Sequence, residues 1–226
     1  MNDEQTAEIL WEAISEEFRH RMMKDRKLAG LSKAISAGKA TYKTVEDAAV
    51  RIGTHSARSL GKVITTESVP EMSWLIAERT LKRQAELQYD LISGSALSVQ
   101  KSLYARANIG LKALTADFDV ENIEQLMGRL CEGKLEDALW VLGDPVVHAA
   151  MNVVDETIRV NAGRQSAVGM RPTVTRTPEF NACEWCQSLA GTYDYADVRD
   201  RGNDVWKRHN NCRCHILYDP GDFYGK

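Results

Sequence analysis

Apolar residues recur every three or four positions through most of the chain, which is the spacing of one face of a helix. The first stretch predicts a helix from Thr6 to Ala29, ended by Gly30, and the next stretch predicts a helix from Thr44 to Leu60. These N-terminal helices occupy residues 1–62. The apolar face of the first comprises Ile9, Leu10, Ala13, Ile14 and Phe18.

A second apolar seam predicts a long helix or a helical hairpin over residues 68–116. Ser68 and Glu71 have the spacing of a capping box, and Pro70 between them fits the first helical turn. The Ser-Gly-Ser sequence at 93–95 marks the point at which a hairpin would turn. The seam comprises Leu81, Ala85, Ile92, Ala96, Val99, Leu103 and Leu114.

Shorter helices are predicted over residues 120–168. Two of them lie at Asn122–Glu132 and Leu135–Leu142. A third begins at Asp144, because a capping Asp followed by Pro favours the start of a helix.

The pattern changes beyond residue 170, where three of the five prolines lie. Thr173–Thr177 is β-branched and alternating, and Cys214–Tyr218 has the pattern of a short strand. We therefore predict a mainly α protein, with an elongated helical body at residues 1–168 and a small α+β cap at residues 169–226.

Charge and composition narrow the class of protein. The 29 basic and 32 acidic side chains give a formal net charge of −3, which excludes nucleic-acid binding through a bulk basic excess. The longest apolar run, at residues 138–142, is far shorter than the roughly 18 residues that a membrane span needs. The first ten residues carry acids and no base, unlike a signal peptide, so we expect a reducing compartment.

Four of the five cysteines lie in the C-terminal quarter, as two close pairs. Cys183 and Cys186 form a C-x2-C pair, and Cys212 and Cys214 follow after a gap of roughly 25 residues, a spacing typical of zinc sites. His209 precedes the second pair, so five candidate ligands are available for four positions. We favour the first pair and Cys212, with either Cys214 or His209, in that order, as the fourth ligand. Because the cap has too few apolar residues for its own core, we predict a structural zinc ion that staples it.

Two other interpretations of the cluster stay open. The pairs can form a disulfide after release into an oxidising setting. The triplet beginning at His209 resembles that of HNH nucleases, although its third residue is Asn and no ββα pattern follows. The side chains that we predict to pack around the metal, or to form a contact surface beside it, are Trp185, Tyr193, Tyr195, Trp206, Arg208 and Arg213.

The basic side chains near the cysteines have two explanations. Arg176, Arg208 and Arg213 could form an anion-binding patch. Residues 171–226 contain eight basic and eight acidic side chains, however, so we expect salt bridges within the cap instead.

A series of short motifs accompanies the cysteine pairs in order. The ending H-x2-C-R-C, from His209 to Cys214, is the most diagnostic of them. The others are Ile158–Ala162, Gly169, Pro172, Arg176-Thr177, Leu189–Gly191, Tyr193, Tyr195, Gly202–Val205 and Arg208. With these motifs, residues 145–220 resemble the tailed-phage minor head proteins of the Mu F-like head morphogenesis family.

This resemblance implies a non-enzymatic structural protein of the virion that acts in head or procapsid assembly. The implied partners are the portal protein and the major capsid or scaffold proteins, with transient contact to DNA, no membrane and multiple copies per particle. The implied location is the head interior or the portal vertex, after assembly in the host cytoplasm. Some relatives carry toxin or ADP-ribosyltransferase extensions after this module. The sequence stops twelve residues past Cys214, so we expect no such enzyme here.

The competing hypothesis is an enzyme delivered with the DNA, either a nuclease or a transferase. His209 with Arg208 and Asp204 is the grouping of acid–base side chains that the sequence offers for such an enzyme.

Overall fold

The computed structural model describes residues 2–221, and most of them are helical. Three strands, β1 (Thr173–Thr177), β2 (Gly191–Asp194) and β3 (His215–Asp219), form one antiparallel sheet in the order β2-β1-β3. The predicted mainly α protein with a small C-terminal α+β region is therefore confirmed. The helices are α1 (Asp3–Lys24), α2 (Arg26–Ser36), α3 (Tyr42–Val63), α4 (Trp74–Ala77), α5 (Arg83–Arg106), α6 (Val120–Cys131), α7 (Leu135–Ala138), α8 (Asp144–Ala167), α9 (Glu184–Ser188) and α10 (Tyr195–Val198).

The first predicted helix is in fact two. Helix α1 ends at Lys24, because Asp25 leaves helical geometry with a ψ of 92°. The Asp25 carboxylate then accepts the backbone N–H of Leu28 at 3.0 Å and so caps the start of α2. An Asp that caps a second helix has no signature in the apolar spacing, which continues through it.

The helix start predicted at Ser68 is wrong. The Ser68 hydroxyl lies in a turn, where it donates to the carbonyl of Val63 at 2.7 Å. The N-cap is Ser73, whose hydroxyl accepts the N–H of Ile76 at 3.3 Å. From Trp74 the helix runs through one π-helical segment, Glu78–Lys82, and without a break at residues 93–95. The seam therefore forms one long helix and no hairpin.

That long helix is shorter than predicted at its C-terminal end. It ends at Arg106, and the residues up to 116 are irregular. Asn161 of α8 holds them, because its side chain donates to the carbonyl of Leu114 at 2.8 Å and accepts the N–H of Leu114 at 3.0 Å. Side-chain bonds from α8 thus replace the backbone bonds of a further helical turn.

The described residues pack as two compact units. The first contains residues 2–30, 48–91 and 117–151, and the second contains residues 31–47, 92–116 and 152–221. The sheet and the four clustered cysteines belong to the second unit. The boundary predicted at residue 168 does not coincide with any boundary between the units, and that division stays a prediction. None of the helices described over residues 2–221 has both the length and the apolar character needed to cross a bilayer.

Within the first unit, α3 packs closely against α8 at Gly53. A Cβ placed on Gly53 would lie 2.9 Å from the Cβ of Ala150 and 2.9 Å from the Cα of Val147. Since a backbone atom cannot move aside as a flexible side chain can, this position accepts no side chain without a shift of the helices.

Substituting Gly53→Ala should therefore destabilise the protein by about 1–3 kcal/mol, although alanine is the better helix former. Chemical denaturation would measure this loss. The control is Gly61→Ala in the same helix, where an added Cβ meets nothing within 4 Å and should be neutral or stabilising. An unchanged unfolding midpoint for the Gly53 variant would contradict the close approach of the two helices.

Candidate metal centre

Short local structures bring the two cysteine pairs together. Cys183 is the N-cap of α9, and its Sγ accepts the backbone N–H of Cys186 at 3.5 Å. A turn precedes the second pair: the N–H of Cys212 donates to the carbonyl of His209 at 2.9 Å, and Asn211 has a φ of +62°. Asn tolerates this left-handed conformation better than most residues. Each half of the site thus contains a local turn or cap that places its cysteines.

The five predicted ligands form two overlapping groups. Cys183, Cys186 and His209 form one, and Cys186, Cys212 and Cys214 form the other. Within each group the ligand atoms lie within 4.8 Å of one another. The Nε2 of His209 lies 3.2 Å from the Sγ of Cys183 and 3.0 Å from the Sγ of Cys186. The structure thus brings together all of the candidate ligands, with Cys186 common to both groups.

The sulfur positions fit a metal better than a disulfide. The Sγ atoms of Cys186 and Cys212 are 3.8 Å apart. Two sulfurs that are each about 2.3 Å from a tetrahedral zinc ion would lie about 3.8 Å apart, whereas a disulfide bond is about 2.05 Å long. All five cysteines are free thiols in this structure. These groups can hold a metal ion.

The ring of His209 is oriented for ligation through one nitrogen. Its Nδ1 lies 2.7 Å from the carbonyl of Asn210, and this hydrogen bond is the largest cause that raises the pKa of His209. With the proton on Nδ1 donated to that carbonyl, the lone pair of Nε2 faces the two sulfurs. Trp185 packs edge-on against the ring, with centroids 5.6 Å apart. The choice between His209 and Cys214 as the fourth ligand stays a prediction.

The pKa values of the thiols diverge across the cluster. A hydrogen bond from Cys214 lowers the pKa of Cys212 to about 4, and the same bond raises the pKa of Cys214. The backbone N–H of Cys186 lowers the pKa of Cys183, whereas burial raises that of Cys186 itself. Thiolate character is therefore greatest on one cysteine of each pair. Because a metal binds the thiolate form, each pair contains one cysteine, Cys183 or Cys212, that favours metal binding.

A buried arginine lies against the sulfurs. Arg176 is 1% exposed, and its Nη2 is 3.6 Å from the Sγ of Cys186 and 3.7 Å from the Sγ of Cys212. Its Nη1 donates to the carbonyls of Val205 at 2.6 Å and Lys207 at 2.9 Å. A cation fixed in this way offsets the negative charge of the thiolates.

The sequence pattern around Arg176 indicates that its side chain is buried. Val174 and Arg176 are two residues apart on β1, so they share the buried face of that strand. A charged residue at an inward position needs a buried partner. We expected Arg176 to belong to an anion-binding patch or to a salt bridge within the cap. Its partner in the structure is the sulfur cluster.

We expected Arg208 to form salt bridges within the cap, and this expectation is wrong. Its guanidinium donates to Asp155 at 2.8 and 2.9 Å and to Glu46 at 3.0 Å, two acids of α8 and α3 that lie before the cap. It also donates to the carbonyl of Cys214 at 2.6 Å. The Glu46 carboxylate accepts the N–H of Ile216 at 3.0 Å as well. This buried ion network fixes the second cysteine pair and the start of β3 within the second unit.

The other residues predicted around the metal divide into two sets. Trp185 lies against His209, and Arg213 donates to the carbonyl of Cys212 at 2.8 Å. The remaining three make their contacts elsewhere in the same unit. Tyr193 donates to the carbonyl of Leu189, Tyr195 packs against Gly163, and Trp206 donates to the carbonyl of Val198.

Two side chains of the grouping proposed for an enzyme have other partners. The guanidinium of Arg208 is engaged with Asp155 and Glu46, and the carboxylate of Asp204 pairs with Lys207 at 2.7 Å. A cavity of about 300 Å³ opens beside the cluster. It is lined by the five candidate ligands together with Glu179, Asn181, Ala182, Asn211 and Arg213.

These features define a mainly helical protein with a small C-terminal sheet and a Cys/His cluster that can hold a metal ion. The family model described as VG15 protein matches residues 111–224, just over half of the chain. The chain therefore belongs to the VG15 family, a family of phage proteins. A search of the curated proteins found no match, and a search of the solved structures found none either. The phage origin implied by the motifs is confirmed at this level, and membership of the Mu F-like family stays a prediction.

Proposed function

We propose that this protein is a non-enzymatic structural protein of the phage head that acts in head or procapsid assembly. The observation that carries the proposal is the construction of the cysteine cluster. Its ligand atoms lie within 4.8 Å of one another in each group, Arg176 contacts two of the sulfurs, and Arg208 holds the backbone carbonyl of Cys214. Such an arrangement resembles a closed structural metal site, in which the protein supplies every ligand. The resemblance of residues 145–220 to minor head proteins supports a role for this site in the phage head.

The metal we propose is zinc. Thiolate and imidazole ligands at tetrahedral separations favour zinc over the oxygen-seeking cations. The ion would join the two cysteine pairs, and its binding free energy would add to the folding free energy of the residues around it. The metal would hold the surface that a partner recognises and would take no part in bond chemistry.

The partners that we propose are the portal protein and the major capsid or scaffold proteins, with several copies of this chain per particle. Phe180, three residues before the first cysteine pair, is fully exposed, and Trp185, between the two cysteines of that pair, is 37% exposed. Aromatic side chains of this kind are enriched where protein interfaces form. We place the protein at the portal vertex or the head interior, and contact with DNA would be transient.

A nuclease or transferase that uses His209 receives less support. A catalytic histidine needs a free nitrogen beside a substrate position. Here one ring nitrogen faces the sulfurs of Cys183 and Cys186, and the other meets a backbone carbonyl.

Co-expression with the portal, capsid and scaffold proteins of the same phage tests the head role. We expect the wild-type chain to co-purify with at least one of them. The double substitution Phe180→Ser, Trp185→Ser should reduce recovery about tenfold, since two aromatic anchors are lost. The control, Met23→Ser with Trp140→Ser, removes two exposed apolar side chains elsewhere and should leave recovery unchanged. Failure to associate with any of the three, or procapsids that assemble equally well without the chain, would contradict the proposal.

A further inference from the structure

The first unit contains a groove with an excess of positive charge, which we call the basic groove. It lies where α1 ends and α2 begins, beside one face of α3, and its volume is about 610 Å³. Five Lys or Arg side chains line it, against two carboxylates. In a chain whose formal net charge is −3, this is a local reversal of sign.

The two carboxylates of the groove are already neutralised. Glu17 pairs with Arg21 at 2.6 Å and with Lys62 at 2.6 Å. Asp25 pairs with Arg51 at 2.9 Å and lies 2.7 Å from the Nε2 of His55. Burial alone would raise the pKa of Asp25, but the hydrogen bonds that it accepts outweigh burial and hold that pKa well below its ordinary range. Both acids therefore stay charged and occupied.

Three cations of the groove have no such partner. Across residues 2–221, the side chains of Lys24, Arg26 and Lys27 form no ion pair and no hydrogen bond. Three exposed cations without a counterion among the described residues at one place favour the binding of a group with negative charge.

We propose that the basic groove binds a phosphate group. Three uncommitted cations balance a multiply charged anion, whereas a carboxylate would offset one of them and leave the others unpaired. A tetrahedral phosphate also presents several acceptor oxygens at once, which suits the three uncommitted cations at the end of α1 and the start of α2. The volume of the groove exceeds that of an isolated phosphate, so it can hold a free phosphate or successive phosphodiesters of a nucleic-acid backbone, which together carry several negative charges.

Equilibrium dialysis with labelled inorganic phosphate at low ionic strength tests this site. The full-length protein should bind phosphate saturably, and the double substitution Lys24→Gln, Lys27→Gln should weaken binding by about tenfold or more, because two attractive charges are removed. The matched control is Lys33→Gln with Lys39→Gln. These two exposed lysines lie outside the groove, the net charge changes equally, and phosphate affinity should stay within about twofold of the wild type.

A second arm identifies the source of the phosphate. A labelled single-stranded oligonucleotide is added and phosphate is tested as its competitor. Mutual displacement supports binding of the nucleic-acid backbone at this groove, and phosphate binding without displacement supports a free anion there. Absence of saturable phosphate binding, or an equal loss of affinity in the control variant, would overturn the proposal.

Discussion

Substituting Cys186→Ser should abolish metal binding and unfold the C-terminal residues around the cysteine cluster. Cys186 belongs to both ligand groups, so its loss leaves neither group complete. Structural zinc contributes on the order of 10–16 kcal/mol of apparent binding free energy at neutral pH, which is comparable to the whole stability of a typical domain. Metal analysis, circular dichroism and limited proteolysis of residues 171–221 would measure the two effects.

The wild-type protein, purified under reducing conditions, should contain about one zinc ion per chain. Cys131→Ser is the control, because Cys131 is a free, half-buried thiol on α6 that belongs to neither ligand group, and this variant should keep its zinc. A parallel comparison of His209→Ala with Cys214→Ser identifies the fourth ligand, since only the variant that lacks a true ligand should lose affinity. Reduced wild-type protein without zinc, or a Cys186 variant that retains it, would refute the structural metal.

Substituting Arg208→Met should destabilise the protein by about 3–5 kcal/mol, because it leaves two acids buried without their cation. The side chain of Glu46 is fully buried, and those of Arg208 and Asp155 are each only 4% exposed, so water cannot replace the lost partner. Chemical denaturation at pH 7 would measure the loss. The control is the neighbouring Lys207→Met, which breaks an exposed pair with Asp204 and should cost less than about 1 kcal/mol.

The pH dependence of the Arg208 variant provides a second readout. Burial raises the pKa of Asp155 to about 6, and the charge of Arg208 opposes that rise. The folded-state pKa of Asp155 lies above the value of about 3.9 in an unfolded chain. The contribution of Asp155 to stability is therefore complete below pH 4 and is lost as the pH rises through 6. Without the guanidinium the pKa should rise further, and the variant should regain stability as the pH falls from 7 to 5. If the Arg208 variant loses little unfolding free energy, or loses the same amount at pH 7 and at pH 5, the ion network does not stabilise the fold as its geometry indicates.

The parts of the candidate site that form locally are the parts that the sequence could indicate. The C-x2-C pair and His209 with Cys212 were recognised because each half forms within one turn of chain. Strand β2 was missed, since its four residues, GTYD, form a strand only through pairing with β1. The start of the long helix was assigned to Ser68 instead of Ser73, because Ser68 has the capping-box spacing to Glu71, whereas Ser73 has Ile76 at the corresponding position.

The sequence by itself determined where the main helices lie and which residues can ligate a metal. Both depend on neighbours a few positions apart, and this spacing is visible in the chain. Only the tertiary structure decided what surrounds the metal ligands. Arg208 meets Asp155 and Glu46 across 53 and 162 residues, and contacts at such separations leave no periodic trace. Ion pairs between residues so far apart in sequence form only where packing brings the acids of α3 and α8 next to Arg208. Their positions are a property of the packed chain and not of any one segment.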